Sequence, residues 1–292
     1  MNLKRHLIAR STPAIILTAS SLLATAQVVP PKTGYAPVNG LKMYYEIRGS
    51  GAPLILIHGG VVGITMFGSN LDLLAKERQV IAVELQGHGH TVDIDRPLSY
   101  EAMADDIAAL MNYLKINKAD VMGYSLGGGV ALQMVFRHPE LVGKLIVVST
   151  PFSQDGWYPE IRGAFQHMGP SAAAGIKQSP LAKQYPNVNW EILFTKIGEL
   201  QRQNYDWSTQ VAAIKSPTLL VFADADAIRP EHIVKFYELL GGGKRDAGLD
   251  GSGRPTAQLA ILPGLTHYKI SSAPSQASVA TAFLQGGISG AQ

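Results

Sequence analysis

A serine flanked by glycines stands between a predicted strand and a predicted helix, and this junction constrains the fold most. Residues 119–123 form an apolar run typical of a strand, Ser125 follows within Gly-x-Ser-x-Gly (Gly123 to Gly127), and helical character begins at Leu126. A serine at the apex of such a sharp turn has a strained backbone that crowds the positions two residues away, where glycine removes the Cβ atom. The pattern therefore predicts a nucleophile elbow.

Glycine and serine are common, so the same pattern also fits an ordinary turn between a strand and a helix. A serine nucleophile needs a histidine and an acid as partners, and both follow later predicted strands. His267 follows the apolar run 258–262, and Asp224 and Asp226 follow the run 217–223. The residues alone leave either aspartate as the acid.

Apolar runs and helical patterns alternate along much of the chain. Residues 34–48 alternate apolar and polar side chains around Asn39-Gly40, which predicts a β-hairpin. Further strands are predicted at 53–57, 80–84, 119–123, 144–149, 217–223 and 258–262, with helices such as 99–115 between them. Repeated strand–helix units predict an α/β fold with a mostly parallel central sheet flanked by helices.

Asp105 and Asp106 belong to the helix 99–115, where we expect a solvated face.

The alternation stops at Pro151. Residues 152–212 contain no long apolar strand, but they contain four prolines, short helical patches and many aromatic side chains. We predict a helical insertion here. Most of its aromatics are expected to form its own small core, while Trp157, Phe165, Trp190 and Trp207 are candidates to line a binding pocket.

These motifs resemble the α/β-hydrolase fold family, in its serine esterase or lipase-like branch with a helical cap. The resemblance covers nearly all of residues 38–284. It rests on the elbow around Ser125, on the loop 58–60 directly after a strand, and on the order Ser125, Asp226, His267. The family pattern Gly-x-x-Asp-x-x-x-Pro aligns with Asp226, although Ala223 stands where glycine is usual.

The resemblance implies a role for each of these residues. Ser125, Asp226 and His267 would form the catalytic triad, and the backbone N–H groups of Gly60 and Leu126 would form the oxyanion hole. The implied activity is hydrolysis of carboxylic esters or lactones through an acyl-enzyme, with no metal and no organic cofactor. A serine at the elbow argues against the dehalogenase and epoxide-hydrolase branches, in which aspartate stands there.

Two other functions remain open at this point. A cofactor-free C–C hydrolase or haloperoxidase-like enzyme would use the same triad, and a non-catalytic ligand-binding module would use only the scaffold. The segment 84–91 departs from the commoner family form at Glu84 and Gln86. Glu84, His88 and His90 could be imagined as metal ligands, but we expect loop structure there, and we expect His58 to be buried and structural.

The N-terminus is predicted to be a signal peptide. Residues 1–26 combine a basic start, an apolar middle and the small residues Ala24-Thr25-Ala26, which predicts cleavage before Gln27 and export to the periplasm or medium. The alternative is an uncleaved anchor, although the apolar stretch 14–24 is shorter than the ~20 residues that span a bilayer. The remaining chain divides into a first core part (27–150), the cap (151–212) and a second core part (213–292).

Charge and cysteine content exclude several partners. The chain has 25 basic and 22 acidic residues, and removing Lys4, Arg5 and Arg10 with the signal peptide leaves 22 of each. A neutral mature protein gives no reason to expect nucleic acid or stable membrane association, so a small-molecule substrate is the expected partner. The chain has no cysteine, which excludes disulfides and thiolate chemistry.

Overall fold

Eight strands form a single sheet in the computed structural model, which describes residues 30–286. The strands are β1 (Lys32–Val38), β2 (Leu41–Arg48), β3 (Pro53–Ile57), β4 (Gln79–Val83), β5 (Ala119–Tyr124), β6 (Val142–Val148), β7 (Thr218–Ala225) and β8 (Gln258–Thr266). Their order in the sheet is β1-β2-β4-β3-β5-β6-β7-β8. The predicted signal peptide, residues 1–26, lies outside the described residues.

The pairing is mostly parallel, as predicted. Strands β4, β3, β5, β6, β7 and β8 run parallel, while β1 and β2 add an antiparallel edge. The β1–β2 turn has positive φ at both Asn39 (46°) and Gly40 (85°), as a tight hairpin turn requires. The predicted hairpin is therefore confirmed.

Each central strand is buried on both faces, which explains its continuous apolar sequence. In β3, Leu54 and Leu56 belong to one apolar layer, and Ile55 and Ile57 belong to the layer on the opposite face. Successive side chains of a strand point to opposite faces, so a strand covered on both sides is apolar throughout. The core is thus two layers, one on each side of the sheet.

Ten α-helices surround the sheet within the described residues. They are α1 (Asn70–Ala75), α2 (Tyr100–Tyr113), α3 (Leu126–Arg137), α4 (Pro159–Gln166), α5 (Ala173–Lys177), α6 (Pro180–Gln184), α7 (Trp190–Arg202), α8 (Ser208–Ala212), α9 (Pro230–Leu239) and α10 (Pro274–Leu284). Helices α2, α3 and α9 cover one face, and α1 and α10 cover the other. The predicted sheet flanked by helices is confirmed.

No helix within residues 30–286 has both the length and the apolarity to cross a bilayer.

Helices α4 to α8 all lie between β6 and β7, in the segment predicted as a cap. Helix α7 begins at an N-cap, where the Asn189 side chain accepts a hydrogen bond from the Ile192 N–H. Lys196 of α7 donates to Asp93 Oδ2 at 2.7 Å and to the Ile94 and Arg96 carbonyl oxygens, so the helix is tied to the loop after β4. The exact limits of the cap and of the core parts remain predictions.

The structure corrects two details of the sequence analysis. Asp106 is fully buried and forms an ion pair with Arg96, whereas Asp105 pairs with Arg137 at the surface, so the prediction of a solvated Asp106 was wrong. Strand β8 continues past Leu262, where the predicted strand ended, through the Pro263-Gly264 positions to Thr266. An irregularity in its register with β7 makes room for this extension.

Candidate active site

Ser125 occupies a sharp turn between β5 and α3. Its φ and ψ angles are 53° and −118°, in a region that residues other than glycine rarely adopt. A Cβ atom on Gly123 would lie 2.1 Å from the Gly127 carbonyl oxygen, and one on Gly127 would lie 2.4 Å from the carbonyl oxygens of Ile57 and His58. Both glycines are therefore required sterically, as the sequence pattern predicts.

The structure brings Ser125, His267 and Asp226 together in one hydrogen-bonded chain. Ser125 Oγ lies 3.1 Å from His267 Nε2, and His267 Nδ1 lies 2.9 Å from Asp226 Oδ1. An ionised carboxylate can only accept, so Nδ1 carries the proton and Nε2 is free to accept from the serine hydroxyl. This arrangement allows the imidazole to act as a base toward Ser125.

The two candidate acids have different surroundings. The Asp226 side chain is 1% exposed, and burial alone would raise its pKa, but hydrogen bonds from His267, Ser149 and the Ala223 N–H outweigh burial and lower the pKa. Asp224 is exposed and accepts the N–H groups of Gly264 and Leu265 at 3.0 and 3.1 Å. Asp224 thus fixes the irregular part of β8, while Asp226 contacts the histidine.

Ser149, which the sequence analysis did not identify, supports Asp226 from the end of β6. It is fully buried, and its Oγ donates to Asp226 Oδ2 at 2.5 Å. The Ala223 N–H also donates to Oδ2, and the Ala227 N–H donates to Oδ1. Ser149 has a φ of 49°, a strained conformation of the kind that concentrates at functional sites. The sequence offered one signal for Ser149, because it is a polar residue directly after a buried strand.

Two aromatic side chains hold His267. Tyr124 O–H donates to the His267 carbonyl oxygen at 2.7 Å, and burial raises the Tyr124 pKa, so the phenol remains a donor. The Trp157 ring packs at 5.5 Å from the imidazole, centroid to centroid. His267 is 6% exposed as a result, so few rotamers other than the one facing Ser125 are open to it.

Gly60 and Leu126 lie side by side at the predicted oxyanion hole. The Leu126 Cδ1 atom is 3.6 Å from the position of a Cβ atom on Gly60, and both residues line the same cavity as Ser125. Within the described residues, neither backbone N–H has a hydrogen-bond acceptor. Two free donors next to a serine at a helix N-terminus are the arrangement that an oxyanion requires.

The loop that contains Gly60 is shaped by a strained turn and a buried acid. The Val62 N–H donates to the Gly60 carbonyl oxygen across Val61, whose φ of 74° is unusual for a β-branched residue. Glu84 lies directly beneath: a Cβ atom on Gly63 would lie 2.6 Å from its carboxylate. Burial raises the pKa of Glu84, against the opposing effect of hydrogen bonds from His90.

The histidines around the loop are structural or paired. His58 and His88 are fully buried with ring centroids 4.9 Å apart, and burial lowers their pKa values to about 3 and about 4. His58 Nε2 accepts the Leu85 N–H. His90 Nδ1 lies 2.9 Å from Glu84 Oε2. Across residues 30–286, no group of three or more histidine or carboxylate side chains is arranged to hold a metal ion.

A cavity of about 360 Å³ opens onto Ser125. Trp157 and Phe165 line it, whereas Trp190 and Trp207 are not among its lining residues. Trp207 stacks on Tyr205 at 4.2 Å and packs edge-on against Tyr100 of α2, so it belongs to the apolar layer shared with the helices of the core. Of the four aromatic candidates, the structure therefore places two at the cavity and two away from it.

The chain is similar to known hydrolases in sequence and in fold. A family model described as the alpha/beta hydrolase fold matches residues 52–188. An uncharacterized protein of Mycobacterium tuberculosis is 26% identical over 292 aligned residues, covering 88% of this chain and 82% of that protein. The 2-hydroxymuconate semialdehyde hydrolase of Pseudomonas sp. (strain CF600) is 33% identical over 115 residues, covering 38% of this chain and 41% of that enzyme.

A solved structure extends this likeness over the described fold. A thermophilic esterase from Thermogutta terrifontis superposes with a TM-score of 0.67 and 20% identity, covering 88% of this chain and 98% of the esterase. At this identity the likeness shows the fold alone. The family match over residues 52–188 and the parallel sheet with its strand-to-helix elbow agree, and the chain has the α/β-hydrolase fold.

Proposed function

We propose that the protein is a serine hydrolase that cleaves carboxylic esters or lactones. The observation that carries this proposal is the chain of contacts from Ser125 through His267 to Asp226, at 3.1 and 2.9 Å, on the wall of a cavity. Serine hydroxyls in water are weak nucleophiles, and a base oriented by an acid activates them.

Each step of the reaction uses a group of this chain. Ser125 Oγ attacks the carbonyl carbon while His267 Nε2 takes its proton, and Asp226 holds the imidazole in the required tautomer. The negative charge on the carbonyl oxygen is stabilised by the N–H groups of Leu126 and Gly60. His267 then protonates the leaving alcohol, and water releases the acyl group by the same steps in reverse.

The cavity favours an uncharged substrate. Its lining includes Trp157, Phe165, Met168 and Ile197, and none of the described residues that line it is an aspartate, glutamate, lysine or arginine. A charged substrate group would lose its hydration there without gaining a partner. The volume of about 360 Å³ lies within the range of small-molecule sites, so we infer a compact, mostly apolar ester or lactone.

C–C bond hydrolysis is the second candidate, because of the 33% identity over 115 residues to 2-hydroxymuconate semialdehyde hydrolase. A family shared at this level does not fix the substrate. We rank it second because the lining has no cation to hold an acidic substrate.

One assay series tests the two functions. Turnover of p-nitrophenyl butyrate, γ-butyrolactone and an uncharged 1,5-diketone is measured with the purified protein and with Ser125→Ala. Ester or lactone cleavage that falls by at least ~10³-fold in Ser125→Ala supports the proposal. Cleavage of the diketone alone would assign the second function, and no turnover of any of the three would leave the binding-module alternative.

We also propose that the protein acts outside the cytoplasm. The support is the pattern of residues 1–26, a basic start followed by an apolar stretch and small residues. Cleavage before Gln27 would leave a mature chain with equal numbers of basic and acidic residues.

A further inference from the structure

One polar side chain of the cavity has no role in the reaction described above. Ser125 and His267 belong to the triad, Tyr124 O–H donates to the His267 carbonyl oxygen, and Tyr268 is 70% exposed at the cavity mouth. The Trp157 Nε1–H is also buried without a partner, but an indole N–H can only donate. Gln201 is the one amide side chain among the described residues that line the cavity. It is only 5% exposed.

One atom of the Gln201 side-chain amide has a hydrogen-bond partner, and the other atom has none. Gln201 Nε2 donates to the phenol oxygen (Oη) of Tyr100 at 3.3 Å, and the Gln201 backbone carbonyl oxygen accepts from Gln154 Nε2 at 2.7 Å. Its Oε1 is buried and has no hydrogen-bond partner within residues 30–286. Buried polar atoms of folded proteins nearly always have a partner, so this free end points to a ligand group.

A hydroxyl is the group that fits. In the observed orientation, the free end of Gln201 is an acceptor and needs a donor. If the two ends of the amide were exchanged, Tyr100 O–H would donate to Oε1 and the free end would be a donor. A hydroxyl both donates and accepts, so it satisfies Gln201 in either orientation. It also brings no charge into a cavity without charged partners.

The position of Gln201 sets the distance from the reacting carbonyl. Ile197 Cδ1 lies 3.7 Å from the position of a Cβ atom on Gly60, so Ile197 is adjacent to the oxyanion hole. Gln201 follows four residues later on α7, and both residues line the cavity. One helical turn advances ~5.4 Å, which roughly four or five carbon–carbon bonds span.

We propose that Gln201 is a specificity residue that selects esters or lactones with a hydroxyl-bearing carbon four or five bonds from the scissile carbonyl carbon. This inference rests on the proposed ester-hydrolase function, because it places the substrate carbonyl at Ser125. An unhydroxylated ester in the same position leaves the free end of Gln201 unsatisfied. Discrimination of about 10-fold or more is the scale expected from one buried hydrogen bond of this kind.

The test compares matched pairs of esters in the full-length mature protein. The acyl pair is methyl 6-hydroxyhexanoate and methyl hexanoate, and the alcohol pair is 4-hydroxybutyl acetate and butyl acetate; in both hydroxylated esters the hydroxyl-bearing carbon is five bonds from the carbonyl carbon. The ratio of kcat/KM within each pair is measured by pH-stat for the wild type, Gln201→Leu and Gln201→Met. Gln210→Leu, the same change at an exposed position outside the cavity, is the control. Two apolar variants are used so that one poorly folded protein does not decide the result.

The wild type is expected to prefer the hydroxylated member of at least one pair by about 10-fold, and Gln201→Leu and Gln201→Met to bring that ratio near one. Gln210→Leu should retain the wild-type ratio. A wild-type ratio near one in both pairs, or a preference that survives both Gln201 variants, overturns the inference while leaving ester hydrolysis intact. Absence of Ser125-dependent turnover of every ester overturns the proposed function and the inference with it.

Discussion

Ser149→Ala is expected to destabilise the protein through the charge of Asp226 rather than through packing. Ser149 is fully buried, and its hydroxyl donates to a carboxylate whose side chain is 1% exposed. The change removes one oxygen atom, keeps the Cβ atom and leaves Asp226 Oδ2 with only the Ala223 N–H as donor. No solvent molecule replaces the lost donor at a site buried this deeply.

The expected loss is about 2 kcal/mol of the free energy of unfolding at pH 7. Hydrogen bonds to charged groups contribute roughly 1.5–3 kcal/mol. Both partners are buried here, so solvent does not screen the interaction and this range applies without reduction. Alignment of His267 depends on the same carboxylate, so kcat for ester hydrolysis should also fall, by about 10-fold.

The pH dependence separates a charge effect from a packing effect. The pKa of Asp226 in the folded protein lies below its ordinary value, because the lowering effect of the hydrogen bonds outweighs the raising effect of burial. A carboxylate with a depressed folded pKa stabilises the protein above its unfolded pKa, about 3.9, and this contribution is lost as the pH falls through the folded pKa. The stability difference between wild type and Ser149→Ala should therefore be largest at neutral pH and shrink below about pH 4.

Urea unfolding followed by circular dichroism at pH 7, 5, 3.5 and 2.5 measures this difference. Ser125→Ala is the matched control, because Ser125 has a φ of 53° against 49° for Ser149, and its hydroxyl contacts an imidazole nitrogen rather than a carboxylate. It should change the free energy of unfolding by less than about 1 kcal/mol at every pH. A Ser149→Ala loss that stays constant from pH 7 to 2.5 would refute the reasoning.

The remaining predictions concern the acid, the cap and the N-terminus. Asp226→Asn should lower kcat by ~10⁴-fold because the histidine loses its tautomer, while Asp224→Asn should lower it less than 10-fold; equal losses in kcat assays would contradict the geometry. Trp157→Ala should change the kcat/KM ratio of bulky to acetyl esters by ~10-fold or more, and a folded Trp207→Ala, altered outside the cavity, should retain the ratio. N-terminal sequencing of the exported protein should begin at Gln27, and an intact residue 1 would reject cleavage.

The sheet was predictable where burial on both faces dictates the sequence. The run 53–57 was predicted as a strand and is β3 (Pro53–Ile57), because nothing but a doubly covered strand explains a continuous apolar run of that length between turns. The end of β8 was not predictable in the same way. Pro263 and Gly264 indicate a loop locally, but Asp224 accepts the Gly264 N–H and keeps the segment beside β7.

The candidate site was also predictable only where local sequence determines the structure. The Ser125 turn has a local steric cause that the glycines reveal, and the resemblance to the α/β-hydrolase family implied that an acid and a histidine meet it. Ser149 and Gln201 act through partners 77 and 101 residues away, and no local pattern encodes such contacts. The burial of Asp106 depends likewise on Arg96, which the loop after β4 brings to helix α2.

Covalent labelling at Ser125 tests the central claim most directly. The purified mature protein is treated with a small, uncharged alkyl fluorophosphonate, and intact mass and peptide mapping report the adduct. The account predicts one phosphonyl group per chain, located on Ser125, with ester hydrolysis lost in proportion to labelling. Ser125→Ala should remain unlabelled and inactive. An adduct on another residue, or full ester hydrolysis by Ser125→Ala, would contradict the account.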